Sequence, residues 1–294
     1  MRSGGQTDHE TEVLMKKEKA RSRFFKGRSV TNKKLVYTVY FALRLSVILM
    51  LILQFFNRNY ENVLLCVLTL VLLVLPAALE RKLRIDLPDT LEIIIMLFIY
   101  AAEILGEIQS FYITFPYWDT MLHTMNGFLC AAIGFALVDL LNRNERVSLT
   151  LSPFYMAVVA FCFSMTVGVI WEFFEFAMDH LLLFDMQKDT ILNTISTVNL
   201  DPNHGTQAVI IRGIEDVILV LEDGTQRALG LGGYLDVGIS DTMMDLFVNF
   251  IGAVIFSTIG FFYVKNRGKS AIAPQFIPKV LETPEARPAD AGEE

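Results

Sequence analysis

The stretch FYMAVVAFCFSMTVGVIWEFFEFAMD, Phe154–Asp179, carries no charged residue before Glu172. About 20 apolar residues in a helix cross roughly 30 Å of hydrocarbon at a rise of 1.5 Å per residue, so this run is long enough to span a bilayer. It is continuously apolar and does not alternate with period two. That pattern points to a helix, whose backbone polar groups are satisfied within the segment, and away from a barrel strand. Five further runs share the pattern: Leu35–Phe56, Asn62–Leu79, Leu91–Ile108, Trp118–Leu141 and Asp241–Val264. The 294-residue chain as a whole is 53% hydrophobic and 19% charged, with a mean hydropathy of +0.45. An apolar excess gathered into span-length runs excludes a soluble domain. The predicted fold class is all-α: a polytopic membrane helix bundle of six transmembrane helices, with a small extracytoplasmic β-hairpin insert between the fifth and sixth.

Charge segregation orients the spans. Residues 1–34 are rich in Lys and Arg, among them Lys16, Lys17, Arg21, Arg23, Lys33 and Lys34. Arg81, Lys82 and Arg84 follow span two, Arg143 and Arg146 follow span four, and Lys265, Arg267 and Lys269 follow span six. The alternate connections hold Arg58, no basic residue in Gln109–Tyr117, and only Lys188, Arg212 and Arg227 across 180–240. The positive-inside rule then puts both termini in the cytoplasm, which requires an even number of spans. The formal net charge of −7 adds little, because the charge is so unevenly placed.

Three regions are expected: a basic, disordered cytoplasmic tail over 1–34, a membrane domain over 35–264, and a flexible cytoplasmic tail over 265–294. The first apolar run starts late, is long and lacks a small-residue cleavage pattern, so it reads as a signal anchor. Cys66, Cys130 and Cys162 all fall inside spans and read as small buried apolar residues, not as a disulfide framework or a zinc knuckle. Within the insert, 180–240, Ala208–Val220 and the residues around Gln226–Leu229 flank Glu222-Asp223-Gly224, and Asp-Gly between β-branched runs signals a hairpin. Gly230, Gly232 and Gly233 then read as a flexible approach to span six.

Carboxylates recur inside the spans, where each charge costs about 3 kcal/mol or more at the bilayer centre. Glu103 and Glu107 stand four apart in AEILGEIQSFY, and so on one helix face. Asp119 and His123 do the same in WDTMLHTMNGF, with Asn126 and Gly127 one turn on. Glu172, Glu175 and Asp179 share a face in WEFFEFAMDH; Asp241, Asp245 and Asn249 line a stripe in DTMMDLFVNFIGA, backed by Gly252 and Ala253, which permit close helix packing. The alternating span direction places all four sets near the extracytoplasmic side. Like charges gathered in low dielectric cannot all stay ionised. Either several are protonated or a cation sits among them. Carboxylates with one imidazole on facing helices have the ligand chemistry of a divalent transition metal such as Zn, Mn or Fe. A hydrogen-bonded structural cluster is the plainer reading, and for Asp119 with His123 an interhelical hydrogen bond competes with ligation.

The order D-x-x-x-H-x-x-x-G at Asp119–Gly127, E-x-x-E at Glu172 and Glu175, and D-T-x-x-D at Asp241–Asp245 resembles the YjdF-like family of predicted bacterial inner-membrane proteins, over roughly Glu103 to Val264. Where members of that family often carry histidines near the end of the third span, this chain has Glu103 and Glu107. Asp119/His123, Glu172 and Asp245/Asn249 are also similar, more weakly, to the VanZ-like membrane proteins. These resemblances imply a shared fold and site, a bacterial plasma membrane and cell-envelope work, without naming a reaction.

Three functional readings follow. In the first, a metal held by His123, Glu172, Glu175, Asp241 and Asp245 activates water, or polarises a phosphoryl or acyl group, with Asp119 as general base, on a lipid or envelope precursor. Glu103, Glu107, Asn126 and Asn249 complete the polar cluster. The second is cation- or proton-coupled transport or sensing; against it, the inner halves of the spans carry few charges beyond Arg44 and Asp139, and no inverted repeat is visible. The third is a structural or partner-binding role. The bilayer is the expected environment, and no nucleic-acid partner is expected.

Overall fold

The computed structural model describes residues 33–83, 85–143, 151–266 and 268–280. Of the expected disordered tail over 1–34, Lys33 and Lys34 belong to the first helix; residues 1–32, the basic residues Arg84, Arg146 and Arg267, and the tail beyond residue 280 lie outside the described residues. Among the described residues, five helical stretches are long and apolar enough to cross a membrane: Lys34–Phe56, Tyr60–Lys82, Trp118–Asp139, Pro153–Leu182 and Ile239–Lys265. Large side chains on them face outward, such as Phe41, Leu64 and Phe173, each more than two-thirds exposed. Water would penalise such a surface and lipid accepts it.

Helix α1 is Lys33–Phe56 and α2 is Tyr60–Leu72, opened by the Asn59 side chain accepting from the Asn62 amide. The second apolar run does not stay one regular helix. It tightens at Leu73–Val74 just ahead of Pro76, which has no N–H to give, and resumes as α3, Leu75–Leu83. Helix α4, Asp89–Tyr100, continues through Ala101 into a π-helical segment, Ala101–Ile108. The run Leu91–Ile108 is therefore helical throughout, but its second half is widened, and that half carries Glu103 and Glu107. A short helix α5, Phe111–Thr114, leads to α6, Trp118–Arg143. Helix α7 is Pro153–Leu182, with Ser152 as N-cap and Pro153 at the first turn, where a missing N–H costs nothing; Leu183 ends it in the left-handed region. Helix α8 is Ile239–Lys265.

The helices pack in two groups. Helices α1, α2 and α4 share a core around Val47, Cys66 and Met96. Helices α6, α7 and α8 share a second around Phe135, Met156 and Phe256. Glycines set the closeness of the second group. A Cβ on Gly252 would lie 2.0 Å from the Thr124 carbonyl oxygen, and one on Gly127 would lie 2.1 Å from that of Asn249. Backbones of α6 and α8 thus touch across small residues, as membrane helices without a hydrophobic drive to associate commonly do. Leu87, Leu91 and Leu129 link the two groups near the end opposite the acids.

The segment 183–238 forms three short antiparallel pairs. Strand β2, Ile191–Leu192, pairs with β7, Tyr234–Leu235; β3, Thr194–Thr197, pairs with β4, Val209–Arg212; β5, Ile218–Val220, pairs with β6, Gln226–Ala228. The β5–β6 turn holds Asp223, whose carboxylate accepts from the Thr225 amide and hydroxyl, and Gly224 at φ 81°. The run expected as one strand, Ala208–Val220, is two, because Gly213 turns the chain with φ 73° and β4 takes β3 as its partner. Gly230–Gly233 is also more than a flexible approach. The Gly232 carbonyl accepts from Asn193 Nδ2, and a Cβ on Gly233 would meet the Leu192 oxygen at 2.6 Å.

Part of the stretch expected to be a flexible tail is ordered. Residues 273–280 fold back: Ala273 and Ile277 are buried in the α6–α8 core, Phe276 stacks edge-on against Phe128 with ring centroids 5.0 Å apart, and strand β8, Lys279–Val280, pairs with β1, Ile85–Asp86.

Candidate metal centre

The end of α7 and the starts of α6 and α8 meet around one histidine. His123 Nε2 lies 3.5 Å from Asp119 Oδ1 and 3.9 Å from Asp245 Oδ2, while Nδ1 lies 3.8 Å from Glu172 Oε1. These separations exceed ordinary hydrogen bonds of about 2.7–3.2 Å. The two Nε2 separations suit groups that share an ion: two ligands each about 2.0–2.2 Å from one zinc stand at most about 4.4 Å apart. Asp119, His123 and Asp245 offer three ligand atoms within 4.8 Å of one another. Among the described residues, Glu172 Oε2 and Asp245 Oδ2 are buried without a hydrogen-bond partner, on residues only 4% and 3% exposed. A buried acceptor left unmade costs about 1–3 kcal/mol, more when charged, so both oxygens call for a cation or a proton.

The two ring nitrogens point apart, so Glu172 cannot share an ion bound at Nε2. Glu172 was expected as a ligand, and its Oε1 faces Nδ1, across the ring from Asp119 and Asp245. Asp119, expected as a general base, is one of the residues that offer the grouped ligand atoms, with its side chain 32% exposed. Glu175 Oε1 accepts from Trp171 Nε1 at 2.9 Å, and Asp241 Oδ2 accepts from the Lys188 amide at 2.7 Å, so each has one oxygen engaged. Asp119, Asp241, Glu172 and Glu175 nevertheless lie close enough for their charges to be felt at Asp245.

The remaining polar residues divide. Asn249 lies below the histidine, 1% exposed, accepting from Asn126 Nδ2 at 3.3 Å and donating to Met165 Sδ at 3.6 Å. It joins three helices. Asp179, placed by spacing on the face of Glu172 and Glu175, accepts from the Met186 and Gln187 amides at 2.6 and 2.9 Å and fastens the insert to α7. His180 stacks on Phe176 at the exposed end of the helix. Glu103 and Glu107 line the same cavity as Asp119, His123 and Asp245. Tyr112, which the spacing of acids could not reveal, leans into this region. Its ring fills the space beside Gly106, and burial, then the charges of Asp119, Glu107, Glu103 and Glu175, push its phenol up from the ordinary tyrosine value.

Span-length apolar helices with lipid-suited outer faces, and a buried histidine–carboxylate cluster at one end, define a helical integral membrane protein with a polar site inside its bundle. The chain belongs to the predicted membrane protein family DUF2238, whose model matches residues 39–266, well over half of its length. Compared with curated proteins and with solved structures, the chain matches none.

Proposed function

We propose that the protein is a six-span membrane protein with both termini on the cytoplasmic side, the stretch 89–108 supplying the sixth crossing, and that it holds a divalent transition metal near its extracytoplasmic face. The ligands are His123 Nε2, Asp119 and Asp245, with Glu172 orienting the imidazole through Nδ1. The observation that carries this reading is the pair of buried, unpartnered carboxylate oxygens beside the one intramembrane histidine of the site. Three protein ligands leave coordination positions open, the arrangement that lets a metal polarise an oxygen or lower the pKa of bound water. At that depth the available substrates are lipid headgroups and lipid-linked envelope precursors, which accords with the resemblance to YjdF-like and VanZ-like proteins of bacterial inner membranes.

Elemental analysis of the detergent-purified protein, after incubation with Zn, Mn or Fe, tests the site. The expected result is one bound metal in the wild type and none in His123→Ala or Asp245→Asn at matched folding. Glu172→Gln should keep the metal with affinity lowered about 10–100-fold, as loss of the group that orients a ligating imidazole does. A wild type that takes up none of the three metals would overturn the reading in favour of protonated carboxylates, and would move proton-linked transport ahead.

A further inference from the structure

Between the α1–α2–α4 group and the α6–α8 group runs a cavity of about 1140 Å³. Its two long walls are helical stripes. On α6 the stripe begins with Asp119 and His123, passes Asn126, and continues through Leu129, Ile133 and Leu137. On the facing wall Glu107 and Glu103 give way to Ile99, Ile95 and Leu91. Each stripe is therefore polar at the metal end and apolar beyond it, and each is spaced at three or four residues, one helix face. The far end is floored by Ile85, Leu87 and Pro278, brought there by the fold-back of the C-terminal segment.

Length decides what fits. Asp119 to Leu137 is about 27 Å at 1.5 Å per residue, and the facing wall from Glu107 to Leu91, π-helical from Ala101 on and so shorter per residue, is somewhat under about 24 Å. The hydrocarbon core is about 30 Å thick, so an ordinary acyl chain reaches about 15 Å and stops at the midplane. An ordinary phospholipid would fill only the half of the groove nearer its head. A largely apolar pocket with a few convergent polar groups at one end fixes an amphiphile by its head. The head end offers the metal ligands together with the carboxylates Glu103, Glu107, Glu175 and Asp241, and, at the mouth, Lys188, half-exposed and paired with Asp185 at 3.6 Å. Among so many carboxylates a phosphate is held there through the bound metal.

The geometry points to a lipid phosphate with one hydrocarbon chain longer than a leaflet, the chemistry of a long-chain polyprenyl phosphate, lying in this groove with its phosphate at the His123 end. This rests on the metal reading for the head group alone; the tail site stands on the groove. The test is equilibrium binding to the full chain in phosphatidylcholine nanodiscs, with metal content measured on the same samples. Probes are a long-chain polyprenyl phosphate, the matching polyprenol, farnesyl phosphate, a sixteen-carbon phosphatidic acid and inorganic phosphate. The long-chain phosphate should bind at least tenfold more tightly than each of the others. Ile133→Trp, at a part-exposed position on the groove wall, should erase the chain-length preference and leave metal content unchanged. Equal affinity for farnesyl phosphate or phosphatidic acid, or an unaltered preference in Ile133→Trp, overturns the proposal. Binding of inorganic phosphate as tight as the lipid would leave a free-anion site and overturns it too. Absence of metal with chain-length preference and the Ile133→Trp effect retained overturns the head-group assignment alone.

Discussion

Glu172 and Asp245 each bury an oxygen that has no hydrogen-bond partner among the described residues. Removing such a charge has opposite consequences with and without a cation nearby. In metal-free protein, Glu172→Gln relieves a charge held among Asp119, Asp241 and His123, and should raise the melting temperature by a few degrees, about 2–4 °C for each kcal/mol at this size. In metal-loaded protein the same change weakens the support of His123 and should lower it. Thermal melts in chelator and in saturating zinc read the sign directly, and a rise under both conditions contradicts the metal site. A steric prediction belongs at this scale as well. Gly252→Ala drives a methyl into the Thr124 carbonyl of α6 and should cost about 3 kcal/mol or more, as overpacking against backbone does, whereas Gly224→Ala meets no neighbour and is strained only by its positive φ. Both show as shifts in melting temperature.

Elements explain which residues were legible and which were not. Spacing of four along the sequence puts Asp119 with His123, and Glu172 with Glu175, on common faces, and the chain does bring residues of α6, α7 and α8 together at one depth. Spacing along one helix carries no information about the partner across an interface. That is why Asp179 looked like a member of the cluster, when the loop that follows α7 supplies its partners, Met186 and Gln187. The widened turn at Ala101–Ile108 and the β3–β4 pair were hidden for the same reason, since tertiary context chose them over local pattern. The insert is held at its other root by Asp236. Partial burial opposes ionisation there, but the Ser240 hydroxyl and the amides of Thr190, Ser240 and Gly238 outweigh it and hold the carboxyl below its ordinary value. A depressed carboxyl pKa gives stability that is present at neutral pH and lost as pH falls through the folded value. Hydrogen exchange of the Thr190 and Ser240 amides should therefore accelerate, relative to its intrinsic rate, on acidification below about pH 4, the ordinary aspartate range. Asp236→Ala should show that acceleration already at pH 7 and lose its pH dependence.

At the scale of the molecule, the polar site and the ordered C-terminal segment occupy opposite ends of one groove, and they should fail independently. Apolar periodicity marked the spans, but it was silent on residues 273–280, whose composition reads as a tail and whose anchoring comes from aromatic packing between distant segments. Phe276 touches both Phe128 and Phe256, with centroids at 5.0 and 6.1 Å, and closes the core between α6 and α8. Phe276→Ala removes those contacts from a partly buried site and should cost about 2–3 kcal/mol, somewhat under the cost of truncating a fully buried ring. The melting temperature should fall by roughly 4–12 °C at the usual conversion for a protein of this size. The β1–β8 pair depends on the same segment, so exchange at Ile85 and Asp86 should rise in parallel. Metal content should not change, because no residue of 268–280 approaches His123 among the contacts of the site. A variant that lost metal together with the C-terminal packing would show that the two ends are coupled through α6 and α8, and that the groove between them acts as one unit.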